Sequence, residues 1–193
     1  MENRTASVER VTKETKIRMT LNLDGTGKSD IHTGIGFFDH MLDGFARHGL
    51  FDLSVRRQDM VRAGKIVTER LAGVLAEENS TGDKQGIRRY GDRILPMDET
   101  LVLSAVDLCG RPYLSFQAEF TREKVGEMET EMVKEFFYAV SYAAQMNLHI
   151  KVLDGGNNHH IIEAMFKAFA KALDEATSFD PRIAGVLSTK GSL

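Results

Sequence analysis

Two stretches decide how this chain is read: FFDHMLDGF at residues 37–45 and VKEFFYAVS at 133–141. In the first, Phe37, Phe38, Met41, Leu42 and Phe45 recur at helical spacing; in the second, Val133, Phe136, Phe137 and Val140 do the same. Apolar residues at i, i+3 and i+4 put one stripe on one face of a helix. Each stretch is followed by a short alternating run, Phe51-Leu53-Val55 after the first and Leu148-Ile150-Val152 after the second. Alternation of that kind marks a strand with one buried face. Gly49 stops the first helix before its strand begins.

Working outward, the same order repeats. Ahead of the first helix, Ile17, Met19, Leu21 and Leu23 alternate with polar residues, Asp24-Gly25 turns the chain, and a short extended piece surrounds Ile31. Ahead of the second, Leu101–Leu108 is an apolar run of strand length, Cys109-Gly110-Arg111-Pro112 is a turn, and Leu114, Phe116, Ala118 and Phe120 alternate. Val67, Leu71, Val74 and Leu75 close the first half as a helix, and Ile162, Met165, Phe166, Phe169 and Leu173 close the second. The chain therefore reads as an α+β fold, a tandem duplication of a β-β-α-β-α unit with sheets packed on helix pairs. The expected division is a first repeat at 1–93 and a second at 94–193 that carries a C-terminal tail, the two forming one compact structural unit.

Composition narrows the function classes. A chain of 193 residues with 42% hydrophobic and 27% charged residues buries a core without staples. Lys+Arg 25 against Asp+Glu 28 gives a net charge of −3. No global basic field draws the protein to nucleic acid or to an anionic membrane, so neither is an expected partner. The one cysteine, Cys109, excludes an internal disulfide and a multi-cysteine zinc site. No run approaches the ~18 apolar residues of a membrane span. The polar start MENRTASVER lacks the apolar segment of a secretion signal. A cytoplasmic location is expected.

Candidate chemistry clusters in a few places. His159-His160-Ile161-Ile162-Glu163 opens the last helix after the loop Gly155-Gly156-Asn157-Asn158. His159 and Glu163 share a face at i, i+4, while His160 points about 100° away. Imidazoles and a carboxylate on one turn make a metal half-site for Mn, Fe or Zn, or else a polar helix start that faces solvent. Divergent histidines suit two metals, or one metal and a partner subunit. His40 lies at the edge of the first stripe, where it is either a ligand or an ordinary helix histidine. His48, before Gly49, suits the negative end of the helix dipole. His32 and His149 fall in extended segments and receive no chemistry. Arginines sit beside turns in Gly86–Gly91 and Gly110-Arg111-Pro112, and Leu187–Gly191 is a short cationic tail. Both suit phosphate, or are solvated surface. Met97-Asp98-Glu99 offers paired carboxylates.

Taken together, TGIGFFDHMLDGFARHGLFDL (33–53), GIRRYG (86–91), LPMDETL (95–101), DLCGRPYLSF (107–116), EFFYAV (135–140), NLHIKVLDGGNNHHIIEAMFKAFAKAL (147–173) and DPRIAGVLSTKG (180–191) resemble the imidazoleglycerol-phosphate dehydratase family of histidine biosynthesis. The resemblance covers nearly the whole chain in order. It implies a fold of the ribosomal protein S5 domain 2 kind. It also implies a hydro-lyase that converts imidazole glycerol phosphate to imidazole acetol phosphate, with two Mn2+ per subunit in sites shared within a homo-oligomer of 24 chains. No acidic C–H of the usual carbonyl kind flanks the departing hydroxyl. The imidazole must take up the negative charge, and the implied metals hold the ring through its two nitrogens. The matching positions imply metal ligands His40, Glu69, His159, His160 and Glu163. They imply catalytic roles for Glu163, Glu14 and Asp98, and a phosphate grip made of Arg89, Arg111, Lys167, Ser188 and Lys190.

One segment departs from the family pattern. Where the family carries Asp-His-His-Thr-Val-Glu-Asp, this chain reads Gly64-Lys65-Ile66-Val67-Thr68-Glu69-Arg70. Lys65 and Ile66 stand at the two histidine positions, and Glu69 keeps the carboxylate. A lysine ammonium has no lone pair to offer and isoleucine has no ligand atom. Reduced manganese occupancy is therefore expected. The alternative to an active lyase is a catalytically impaired homologue that keeps the assembly and the phosphate-binding scaffold.

Overall fold

The computed structural model describes residues 4–11, 16–58 and 84–191. Glu14, the helix expected over Val67–Leu75, and the altered segment with Lys65, Ile66 and Glu69 lie outside the described residues.

Two four-stranded sheets share one design. The first contains β1 (Thr5–Val11), β2 (Lys16–Asn22), β3 (Ser29–His32) and β4 (Asp52–Gln58), in the order β1-β2-β4-β3. The second contains β5 (Tyr90–Met97), β6 (Thr100–Asp107), β7 (Tyr113–Gln117) and β10 (Asn147–Asp154), in the order β5-β6-β10-β7. In both, three strands run antiparallel and the last pair, β3 with β4 or β7 with β10, is parallel. A small hairpin, β8 (Lys124–Val125) and β9 (Met128–Glu129), stands apart. The helices are α1 (Gly36–Gly49), α2 (Glu131–Ala143) and α3 (Asn158–Thr177).

Among the described residues the two halves thus repeat one strand-and-helix order, with one more strand at the start of each unit than the hydrophobic pattern predicts. β1 and β5 are the extra strands, and both lie at sheet edges. β5 opens the second sheet at Tyr90, ahead of the expected division between 93 and 94. β7 ends at Gln117, so Ala118 and Phe120 are not part of the strand, though both pack on the core.

α3 runs through the middle of the molecule. It packs on β5 and β6, with α1 also against it, and α1 leans on β3 and β4. Its buried side chains include Ala164, Ala168, Ala170, Ala172 and Ala176, small residues that let neighbouring backbones come close. Phe38 of α1, Phe136 and Phe137 of α2, and Phe166 and Phe169 of α3 meet in edge-on and tilted pairs. One continuous cluster of buried side chains joins both halves. No helix among the described residues is long and apolar enough to cross a membrane.

Candidate functional site

The head of α3 is built by its cap. The Asn157 side chain accepts the His159 backbone N–H at 2.9 Å, satisfying one of the amides that a helix start leaves open. The preceding loop is tight, since a Cβ at Gly155 would come within 2.9 Å of Ile161. Capped in this way, the helix presents His159 and Glu163 one turn apart. His159 Nε2 lies 3.1 Å from Glu163 Oε2. His40 arrives from α1, its Nε2 3.6 Å from the same oxygen. The start of α1 is secured by Asp39, whose carboxylate accepts the Thr33 N–H at 2.8 Å and the Thr33 hydroxyl.

The other oxygen of Glu163 is taken by Lys167, one turn further on, at 2.7 Å. Burial opposes ionisation of Glu163, but Lys167, His40 and His159 outweigh it and hold the carboxyl below its usual range. The arrangement is a carboxylate with one face toward an ammonium and the other toward two imidazoles.

His160 turns the other way and meets the tip of the β5–β6 hairpin. Met97 pairs with Thr100, so Asp98 and Glu99 are the two residues of the turn, with Asp98 at φ +48°. Glu99 accepts from His160 Nδ1 at 2.8 Å and from the Asn157 backbone N–H at 2.8 Å. The bond with His160 is the main cause that holds Glu99 at a pKa of about 2, and the same bond raises His160. Asp98 Oδ2 is 3.8 Å from His160 Nε2. Two donor groups result among the described residues: His40, His159 and Glu163; and Asp98, Glu99 and His160, each with ligand atoms within 4.8 Å of one another. Glu99, which the sequence marks only as half of a carboxylate pair, is a member of the second group. Its signal was the carboxylate pair at 98–99.

A second locus gathers cations. An open hollow of about 810 Å³ is lined by Arg89, Arg111, Arg182, Ser188 and Lys190 among others. Among the described residues, no ion-pair partner meets the Arg111 guanidinium or the Lys190 ammonium, whereas Arg182 is paired with Asp180 and Arg89 with Asp107. Lys167, grouped with this set by resemblance, is instead on α3 against Glu163 and Met97. His32 pairs with Asp30, His149 packs on the Tyr113 ring, and burial with Lys167 and Lys171 pushes His48 down.

Imidazole nitrogens and carboxylate oxygens converging at one helix head, with a cationic hollow on the same chain, define a class: an α+β enzyme with donor groups suited to divalent metal and a place for an anionic substrate. A family model for imidazoleglycerol-phosphate dehydratase matches residues 33–173. An imidazoleglycerol-phosphate dehydratase of Lachnoclostridium phytofermentans is 60% identical over 99% of each chain. That of Acetivibrio thermocellus is 55% identical over 99% of this chain and all of the relative. A crystal structure of the Staphylococcus aureus enzyme superposes with a TM-score of 0.81 at 39% identity, covering 91% of this chain and 99% of the other. The chain belongs to the imidazoleglycerol-phosphate dehydratase family, and with it to the metal-dependent hydro-lyases that act on a phosphate substrate.

Proposed function

We propose that the chain converts imidazole glycerol phosphate to imidazole acetol phosphate in the cytoplasm, as a Mn2+-dependent homo-oligomer built like the family's 24-subunit assembly. The observation that carries this reading is the convergence of His40 and His159 on one carboxylate oxygen of Glu163. Neutral imidazole and carboxylate suit a divalent first-row metal. Each donor group offers three residues, fewer than a closed site needs, and a neighbouring subunit would complete both. Glu69, outside the described residues, joins the metal ligands in this reading.

His40, His159 and Glu163 would hold one ion, and His160 the second. When bound, the metals supply Lewis-acid stabilisation of the charge that develops on the substrate's ring. Glu163, Asp98 and Glu14 are the carboxylates assigned to proton movement. Asp98 is suited by its place on an exposed hairpin tip within 4 Å of an imidazole. Glu163 is suited by being ionised. Arg111, Lys190, Ser188 and Arg89 would hold the phosphate. Lys167 lies on α3 beside Glu163 and does not line that hollow, and it would serve the phosphate of a neighbouring subunit's substrate.

The test is a Mn2+ titration followed by electron paramagnetic resonance, run beside a dehydratase assay and light scattering. Manganese-stimulated turnover by a large assembly is the expected result. Turnover that is indifferent to metal, or a stable monomer near 21.6 kDa at micromolar concentration, would overturn the proposal.

A further inference from the structure

Asp107 has no part in the chemistry above, yet as the last residue of β6 it pairs with Arg89, which lines the cationic hollow. It accepts Arg89 Nε at 2.7 Å on one oxygen and Arg89 Nη2 at 3.2 Å on the other, a two-pronged bond. Arg89 Nη1 donates to the Leu187 carbonyl at 2.7 Å. The Arg89 backbone is itself fixed. Its N–H donates to the Ala176 carbonyl at 2.9 Å, its carbonyl accepts from Leu108 N–H at 3.1 Å, and its φ is +70°. A guanidinium has five N–H donors, of which three are engaged here; one remains on each terminal nitrogen.

Leu187 begins the segment that carries Ser188 and Lys190, which also line the hollow. Ser188 N–H bonds to the Val186 carbonyl, Lys190 N–H to Ser188 Oγ, and Gly191 N–H to the Ser188 carbonyl. These bonds fold the segment on itself. Among the described residues, it is tied to the body by the Arg89 bond to Leu187 and, just ahead of it, by Gly86 N–H to the Gly185 carbonyl and the bridge between Gln85 and Val186.

Resting on the reading of the hollow as the phosphate grip, we propose that Asp107 is a positioning residue for substrate binding. It locks the Arg89 guanidinium in the one orientation that both clasps the Leu187 carbonyl and leaves two N–H donors for the phosphate. Through that clasp, a carboxylate at the end of β6 sets where Ser188 and Lys190 stand. Asp107 also neutralises Arg89, which leaves the charge on Arg111 and Lys190 to attract the anion.

The experiment is a double-mutant cycle on KM and kcat for imidazole glycerol phosphate, with inorganic phosphate as competitor and hydrogen exchange as a local probe. Asp107→Asn keeps the shape and loses one of the two acceptors. Arg89→Lys keeps the charge and loses the fork. Each single change is expected to raise KM and the phosphate inhibition constant by about tenfold, the scale of one hydrogen bond to a charged group. The change in kcat is expected to be smaller than that in KM. The double variant is expected to be no worse than the weaker single, because both remove one linkage. Amides at 187–191 are expected to exchange faster in Asp107→Asn while those of β6 do not. Arg111→Ala separates the two readings. Weak phosphate binding in Arg111→Ala with parental binding in Asp107→Asn and Arg89→Lys overturns the positioning role alone. Parental binding in all three overturns the phosphate grip and the positioning role with it. Should Asp107→Asn fail to fold, Arg89→Lys with parental KM is enough to reject the proposal.

Discussion

Gly91 of β5 and Ala172 of α3 touch backbone to backbone: a Cβ added at 91 would stand 2.0 Å from the Ala172 carbonyl oxygen and 2.8 Å from the Ala176 nitrogen. The contact sets how closely the second sheet lies on the central helix. Because the clashing atoms are main chain, no side-chain rotation relieves them. Gly91→Ala is expected to destabilise the fold by about 3 kcal/mol or more, at or beyond the upper end of ordinary overpacking. Gly44 of α1 gives the contrast, since a Cβ there meets nothing within 4 Å. Gly44→Ala is expected to stabilise by about 0.5–1 kcal/mol through backbone entropy. Urea unfolding of the two variants checks both signs, and a Gly91→Ala midpoint equal to the parent's would refute the first.

The same contact explains what the sequence could and could not tell. The helical stripes at Phe37–Phe45 and Ile162–Leu173 were legible because bulky side chains mark a buried face. β5 was not, because its inner face is made by the absence of a side chain at Gly91, and because Pro96 is tolerated there only by an edge strand. β1 was missed for a related reason: as the other edge strand it buries Ala6 and exposes Val11. At the site, the pairing of His159 with Glu163 follows from helical spacing alone. The bonds of Glu99 to His160 and of Asp107 to Arg89 do not. They join residues 61 and 18 positions apart, and only the hairpin and the strand order bring them together.

Acid stability should depend on Asp24. Its side chain accepts Arg4 Nη2 at 2.5 Å and the Arg4 backbone N–H at 2.9 Å, while Arg4 Nη1 reaches the Thr177 carbonyl at the end of α3. The Arg4 bond holds the Asp24 carboxyl below its ordinary value of 3.8, against a smaller opposing effect of burial. A carboxylate whose pKa is lowered by folding adds stability above its unfolded pKa and loses it as pH falls toward the folded one. Asp24→Asn is expected to cost about 1–2 kcal/mol at pH 7. The gap to the parent should shrink as pH falls from about 4, where the unfolded chain's carboxyl takes up a proton, toward the lower pKa of the folded state. Denaturation midpoints of both proteins between pH 7 and pH 3 test this; a gap that is constant with pH would show that Arg4 does not discriminate the charged form.

Metal affinity should rise when the altered segment is restored. By resemblance, Lys65 and Ile66 stand where the family has two histidines, one ligand for each of two ions. In the proposed reading, the residues left to serve both ions would be His40, Glu69, His159, His160 and Glu163. Water can fill a missing position, but it supplies neither the affinity nor the fixed direction of an imidazole. An ammonium near a dication also repels it: at ~4 Å and an effective dielectric of 20 the repulsion is on the order of 8 kcal/mol, an upper figure because lysine can swing away. Loss of an outer partner of a ligand typically costs 10–100-fold in affinity or activity, so loss of a ligand itself should cost at least that. The double change Lys65→His with Ile66→His is therefore expected to tighten Mn2+ binding by at least about tenfold. It should also move the measured occupancy toward two ions per subunit. Titration of metal-free protein, followed by electron paramagnetic resonance, reads this directly and without reference to turnover. If the chain as it stands already binds two Mn2+ per subunit as tightly as the double variant, the ligand count is wrong. Other donors would then have taken the place of the missing pair.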